Sequence, residues 1–193
     1  MRRFFLSLAA LGAASGVLFV PTTARADVTS WLAVGGGYGV QHIASADRMD
    51  RASIFTYSVG VGSSPRADWV FGGIARMTTF LTLGTDLSVS ARATTGGFSR
   101  GQWGFALDAG VVGRYWRAGD YGVYPVRVVL TGGAPWGLQL AVGADAFSLG
   151  GGNPARGFFG VLEIDLLRLT VMRQGATDAW WRNPSPAGGR QPQ

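Results

Sequence analysis

Apolar and polar residues alternate along several segments of the chain, as they do in strands with two different faces. Between Gly84 and Thr94, the odd positions from Leu87 onwards are apolar, whereas the even positions are Asp, Ser, Ser, Arg and Thr. The same two-residue period runs through Trp103–Tyr115 and Leu138–Ala146. We therefore predict β-strands in these three segments, each with one apolar face and one small, polar or charged face.

Breaks rich in Gly, Pro, Asn, Asp and Ser divide the rest of the chain into further segments of strand length. The predicted strands are Ser30–Gln41, Ser53–Gly62, Asp68–Thr78, Gly84–Thr94, Gln102–Tyr115, Tyr121–Thr131, Trp136–Ser148 and Gly157–Met172. Eight consecutive strands without helical segments predict an all-β fold, an eight-stranded antiparallel up-and-down barrel over residues 27–173. The chain is too short for sixteen membrane strands of about 9–11 residues, so it is not a wide porin.

Which face of this barrel points outward decides its surroundings. A soluble barrel encloses its apolar face, whereas a membrane barrel turns that face to lipid and its polar face to the lumen. The polar face here is rich in Gly, Ser and Thr, and its few charges are balanced, as suits a narrow lumen. We therefore predict a transmembrane barrel. The charges predicted inside it are Arg76, Asp86, Arg92, Asp108, Arg114, Arg127, Asp145, Glu163 and Asp165.

Aromatic residues recur where the predicted strands begin or end. Four tryptophans are separated by 38, 34 and 33 residues, about the length of one hairpin with its connections. Tryptophan and tyrosine favour the boundary between membrane and water, where the ring is buried and its polar group stays wet. The predicted interfacial aromatics are Trp31, Trp69, Trp103, Trp136, Tyr115, Trp116, Tyr121 and Tyr124.

Two positions depart from the alternation. Trp31 has the parity of Ala33 rather than that of Leu32, which predicts a shift of register in the first strand. The eighth strand changes parity between Leu166 and Leu167, which predicts a bulge there.

The first 26 residues have the pattern of a secretory signal peptide. Arg2 and Arg3 precede the apolar stretch Phe4–Val20, and Ala24-Arg25-Ala26 is an A-x-A cleavage site. We predict cleavage after Ala26. An uncleaved anchor is the less favoured interpretation. Downstream there is no second apolar run of transmembrane-helix length, so a mature chain that enters a membrane must do so as strands. Residues 174–193 are predicted to form a disordered tail rich in Pro, Gly and Gln.

Charge and cysteine content narrow the possible functions. All 17 basic residues are Arg, and 14 of them remain against 11 acidic residues after the predicted cleavage. This small excess without an arginine cluster does not indicate nucleic-acid binding. The chain has no cysteine, which excludes disulfides, thiolate zinc sites and a lipidated cysteine.

These features together resemble the small, eight-stranded outer-membrane β-barrel superfamily of Gram-negative bacteria. The resemblance covers residues 27–173 and rests on the signal peptide, the amphipathic strands and the aromatic strand ends. It implies a location in the outer membrane, with outer-membrane lipid and the barrel assembly machinery as partners and no cofactor. Many members end at the last strand with a terminal aromatic, whereas this chain continues past it. The sequence does not identify an extracellular or periplasmic partner.

Catalytic chemistry has one weak candidate. Some barrels of this kind modify lipid A with a His general base beside a Ser, oriented by an acid. The only histidine, His42, has Ser45 and Asp47 nearby in the predicted first loop. This spacing is common in solvated loops, as is the possible metal-binding set of His42, Asp47 and Asp50. We predict no catalytic, cofactor or metal site.

The sequence therefore predicts a non-enzymatic outer-membrane protein with a narrow or plugged lumen. Its role is either structural in the envelope or mediated by loops at His42–Ala52, Thr79–Leu83, Trp116–Asp120 and Leu149–Arg156. Balanced interior charges favour a plug of ion pairs over a pore. Two alternatives stay open: a soluble periplasmic or secreted barrel of lipocalin type that binds an apolar ligand, and a lipid A-modifying enzyme.

Overall fold

The computed structural model describes residues 28–43, 47–116, 124–134, 137–149 and 156–167. In these ranges every strand pairs antiparallel with the next one in the chain, and β8 pairs with β1, so the sheet closes into a barrel. The elements are β1 (Thr29–Ile43), β2 (Arg48–Gly62), β3 (Trp69–Phe80), β4 (Gly84–Thr95), α1 (Gly96–Ser99), β5 (Gly104–Trp116), β6 (Pro125–Gly133), β7 (Leu138–Ser148) and β8 (Gly157–Asp165).

This architecture confirms the predicted all-β, closed, eight-stranded antiparallel barrel with up-and-down order. Most described strand ends lie within two residues of their predicted positions. The predicted signal peptide (residues 1–26), the predicted tail (174–193), Tyr121 and Trp136 lie outside the described residues. No helix among the described residues is long and apolar enough to cross a membrane.

Burial alternates along the strands because successive side chains point to opposite faces of a sheet. In β2, the even positions from Ala52 to Gly60 are buried, whereas the odd positions from Arg51 to Val61 are exposed. The buried, inward face of β2 carries Thr56 and Ser58, and its outward face carries Phe55. The more polar face of this strand therefore lies inside the barrel and the more apolar face outside.

The register differs from two predictions. β1 keeps one continuous register against both β2 and β8, so the shift predicted at Trp31 is wrong. β8 ends at Asp165, so Leu166 and Leu167, where the parity changes, lie after the strand. The predicted bulge within β8 is therefore wrong. The irregularity lies between β6 and β7, where the register shifts at Val126 and Arg127.

The two ends of the barrel differ in their connections. The distal end carries the connections β1–β2, β3–β4, β5–β6 and β7–β8, and the proximal end carries the other three connections. Most of the loop predicted at His42–Ala52 belongs to the sheet, because His42 pairs with Met49 and Ile43 with Arg48. Pairing of β3 and β4 likewise continues to Phe80 and Gly84. Ladder hydrogen bonds join backbone groups, so a hairpin can extend through polar side chains that indicate a loop.

At the proximal end, α1 directs one aromatic ring into the barrel. The side chain of Thr95 caps the helix by accepting a hydrogen bond from the Phe98 N–H at 3.3 Å. The Phe98 side chain is fully buried.

Inward-facing glycines leave room for large rings. A Cβ atom built on Gly143 would meet the ring of Phe159, and one built on Gly62 would meet the ring of Trp31. A glycine opposite a bulky side chain lets a narrow lumen be filled without moving the strands.

Candidate functional site: the charged barrel interior

The structure places all nine charged residues predicted for the interior in buried positions. They belong to six strands, β3 to β8, and each occupies the inward parity of its strand. They are Arg76, Asp86, Arg92, Asp108, Arg114, Arg127, Asp145, Glu163 and Asp165. Eight of them form two separate clusters of two arginines and two carboxylates.

The distal cluster consists of Asp86, Arg114, Arg127 and Asp145, which lie two or three residues from the distal ends of their strands. Arg114 donates to both oxygens of Asp86 at 3.1 Å and, through Nη2, to Asp145 at 2.8 Å. Arg127 donates from Nε to Asp145 and from Nη2 to Asp86, both at 2.7 Å. Each arginine thus bridges both carboxylates, and the cluster has no net charge.

The central cluster consists of Arg76, Arg92, Asp108 and Glu163. Arg92 forms a two-bond pair with Asp108, with distances of 2.6 Å from Nε and 2.8 Å from Nη2. Arg76 donates to Glu163 at 2.8 Å, and its Nη2 lies 3.7 Å from Asp108. Because these charges have left water, their close pairing offsets a large desolvation cost.

The ninth predicted charge lies near the proximal end of the barrel. Asp165 accepts a hydrogen bond from the backbone N–H of Leu167 at 3.1 Å, and Gln139 Nε2 lies 3.5 Å from its other oxygen. Asp165 is therefore joined to the end of β8 rather than to either cluster.

Two aromatic residues predicted at the membrane boundary lie inside the barrel instead. Trp31 and Trp116 are 3% and 0% exposed. The guanidinium of Arg92 lies 5.1 Å from the ring centre of Trp31, and that of Arg114 lies 3.8 Å from the ring centre of Trp116. Both corrections have one cause: each tryptophan has the inward parity of its strand, where a cation can stack on its ring.

The other described aromatics of the predicted set face outward. Trp69 and Trp103 are exposed at the proximal end, and Tyr115 and Tyr124 are exposed at the distal end.

Apolar side chains enclose the clusters from both ends. Towards the distal end, Phe80, Leu83 and Trp116 belong to one buried group, and the ring of Phe80 meets that of Trp116 edge to face at 5.6 Å. Towards the proximal end, a second group contains Trp31, Val70 and Phe98. The lumen is therefore layered, with charges in its middle and rings at both ends.

Sequence reasoning missed several interior residues. Thr56 donates to Glu163 at 3.1 Å, and Phe159 lies below Arg127 with 5.1 Å between guanidinium and ring centre. Gln41 is fully buried, and its amide has no hydrogen-bond partner among the described residues. Strand parity would have found all three, since each falls on the inward face.

Several ion pairs of the two clusters connect strands that are not neighbours in the sheet. In the two clusters, each carboxylate contacts at least one guanidinium. By joining strands across the lumen, these ion pairs brace the barrel, which means that they resist its deformation.

The histidine predicted as a weak catalytic candidate lies on β1 rather than in a loop. His42 Nε2 lies 3.1 Å from Asp47 Oδ1, and Asp47 is highly exposed. Ser45 lies outside the described residues. Asp50 forms a pair with Arg48 at 2.9 Å. Among the described residues no three His, Cys, Asp or Glu side chains are grouped as metal ligands.

Comparison of the chain with known protein families, with characterised proteins and with solved structures gave no match to any of them.

Proposed function

We propose that this protein is an integral outer-membrane β-barrel with a plugged lumen, exported by a signal peptide that is removed after Ala26. Its role is structural or mediated by its distal connections, and it is not an enzyme. The observation that carries the proposal is that the apolar face of the sheet points outward and the polar face inward, the reverse of a soluble barrel. Large apolar side chains are exposed on all eight strands, whereas the nine predicted interior charges are buried.

The outward wall supports contact with lipid. Val89 is 73% exposed in the middle of β4, and Leu140 and Leu162 are more than half exposed on β7 and β8. Soluble monomers rarely expose apolar patches of more than a few hundred Å². In a membrane, lipid acyl chains would cover these apolar side chains and keep them out of contact with water.

The dimensions of the wall also suit a bilayer. β3 has 12 residues, and at about 3.3 Å per residue and a tilt of roughly 40° it spans about 30 Å along the barrel axis. Outer-membrane barrels present an apolar band of about 25 Å between two aromatic girdles. Trp69 and Trp103 would form part of the proximal girdle, and Tyr115 and Tyr124 part of the distal one.

The soluble, ligand-binding alternative fits this interior less well. An apolar ligand inside the barrel needs an apolar cavity. Here the middle of the lumen holds two ion-pair clusters, and Trp31 and Trp116 stack on their arginines.

The same filling argues against an open pore. In an eight-stranded barrel, side chains nearly fill the bore. Phe80 and Phe98 belong to the buried apolar groups towards the two ends of this lumen, which favours a closed interior. We expect no steady ionic current from the protein in planar bilayers. A stable ohmic current that changes in Asp108→Ala would contradict the plug.

Heat-modifiability tests the proposal as a whole. The full-length chain is expressed in a Gram-negative host, its membranes are extracted with detergent, and boiled and unboiled samples are compared on an SDS gel. We expect a membrane-fraction band that shifts on boiling, as a closed barrel resists SDS until heated. Recovery in the soluble periplasm without detergent would refute membrane integration and make ligand binding the leading function.

A further inference from the structure

The outward face of the distal rim carries two arginines that have no side-chain partner among the described residues. Arg51 is an exposed residue of β2 with the same parity as Phe55, and Arg156 is exposed immediately before β8 with the parity of Phe158. Neither forms a hydrogen bond or ion pair in the described part of the chain. The buried arginines of the two clusters, by contrast, are all paired.

The two arginines flank the same strand. Val40 of β1 pairs with Arg51 on one side and with Phe158 on the other. The N–H of His42 donates to the carbonyl of Arg156 at 2.8 Å, which continues the ladder to that residue. Arg156 lies opposite His42, two residues further along β1 than Val40. Neighbouring strands are about 4.8 Å apart and the rise along a strand is about 3.3 Å per residue, so the two Cα atoms lie about 12 Å apart. Both guanidinium groups can therefore reach one anionic group above β1.

The carboxylates described near these two arginines contact other side chains. Asp50 is held by Arg48 at 2.9 Å, and Asp47 is held by His42 at 3.1 Å. Among the described residues, the rim around β1 carries three arginines, Arg48, Arg51 and Arg156, against Asp47 and Asp50, so its formal net charge is positive. A guanidinium is planar and forked, which suits two-point binding of phosphate oxygens.

An apolar surface lies directly below the two charges. Tyr38 and Phe158 are 54% and 58% exposed on the outward face of β1 and β8, and Phe55 is exposed on β2. A ligand that matches both parts needs an anionic head and apolar chains. A free phosphate would leave the aromatic surface uncovered, whereas a phosphorylated lipid would cover it.

We propose that Arg51 and Arg156 bind the phosphate headgroup of an anionic lipid in the distal leaflet, with its acyl chains lying over Tyr38 and Phe158. This inference rests on the proposed function, since it requires the barrel to lie in a membrane. The lipid would be held at one side of the barrel, at β8, β1 and β2.

Lipid titration by native mass spectrometry tests the site. The full chain is purified from membranes in a zwitterionic detergent and titrated with dioleoyl phosphatidic acid or with dioleoyl phosphatidylcholine. The two lipids have the same acyl chains, but only the first exposes a phosphate monoester. The variants are Arg51→Gln, Arg156→Gln and the double variant, with Arg66→Gln at the proximal end as the matched control.

We expect wild type and Arg66→Gln to prefer phosphatidic acid. Each distal substitution should weaken its binding about fivefold and the double variant about thirtyfold, while phosphatidylcholine binding stays unchanged. An unchanged preference in the double variant would overturn the proposal. Displacement of the lipid by millimolar inorganic phosphate would also overturn it, in favour of a free anion.

The heat-dependent gel shift of each variant separates the two proposals. A variant that enters membranes and shifts on boiling, but keeps its lipid preference, refutes the lipid site alone. A wild-type protein that never enters membranes refutes the proposed function and the lipid site with it.

Discussion

Neutralising one carboxylate of the distal cluster should destabilise the barrel strongly. Asp145 accepts three hydrogen bonds, at 2.8 Å from Arg114 and at 2.7 and 3.2 Å from Arg127. Asp145→Asn keeps the size of the side chain but leaves two buried guanidinium groups facing Asp86 alone. Removing one partner of a buried ion pair costs about 3–5 kcal/mol, because the other charge stays desolvated. We expect the free energy of unfolding to fall by about that amount.

The assay is urea-induced unfolding in lipid vesicles, followed by tryptophan fluorescence and by the heat-dependent gel shift. Asp50→Asn is the matched control, since its pair with Arg48 lies at the exposed rim, where such a pair contributes about 0–1 kcal/mol. A double variant, Asp145→Leu with Arg127→Met, removes one charge of each sign and should recover part of the loss. A loss in Asp145→Asn no larger than in Asp50→Asn would refute the argument that the cluster braces the barrel.

Two further substitutions test the packing of the lumen and the lipid contact of the wall. Gly143→Ala should lower the free energy of unfolding by about 1–3 kcal/mol, because the added methyl group meets the buried ring of Phe159. Gly160→Ala, with nothing within 4 Å, should change it little in the same urea titration. Val89→Arg places a charge in the middle of the outward wall and should cost about 2–4 kcal/mol in vesicles, against about 0–1 for Leu81→Arg in the β3–β4 turn. Equal folding yields of these two arginine variants in vesicles would contradict a lipid-facing wall.

Strand parity was the most informative signal in the sequence. The order of the strands follows from alternation and turn residues, both of which are local properties. The nine interior charges could be assigned because each shares its parity with small polar neighbours, such as Arg92 with Ser90 and Thr94. The pairing partners needed more information. Arg114 meets Asp145 across two strand boundaries, and that contact depends on registers that alternation does not determine.

The prediction was wrong where the preference of a residue type disagreed with the strand parity of that residue. Tryptophan suggests a membrane boundary, yet Trp31 and Trp116 sit inside as stacking partners of Arg92 and Arg114. The parity of Trp31 indicated an inward position, but we interpreted that parity as a shift of register. The long β1–β2 hairpin was missed for a similar reason, since polar residues such as Asp50 and Arg51 indicate a loop while their backbone groups continue the ladder.

The closure of the barrel by β1 and β8 has a kinetic consequence. The other strand pairs join neighbours in the chain and can form as hairpins, whereas this pair joins residues as distant as Ala33 and Asp165. Loop-closure entropy must be paid before such a contact stabilises the chain. Glu163, which meets Arg76 across 87 positions of sequence, therefore gains its partner only when the ring shuts. The Arg76–Glu163 pair of the central cluster thus forms late and slows reopening of the β1–β8 seam. Arg92 and Asp108 of the same cluster face each other within the β4–β5 hairpin and can pair early.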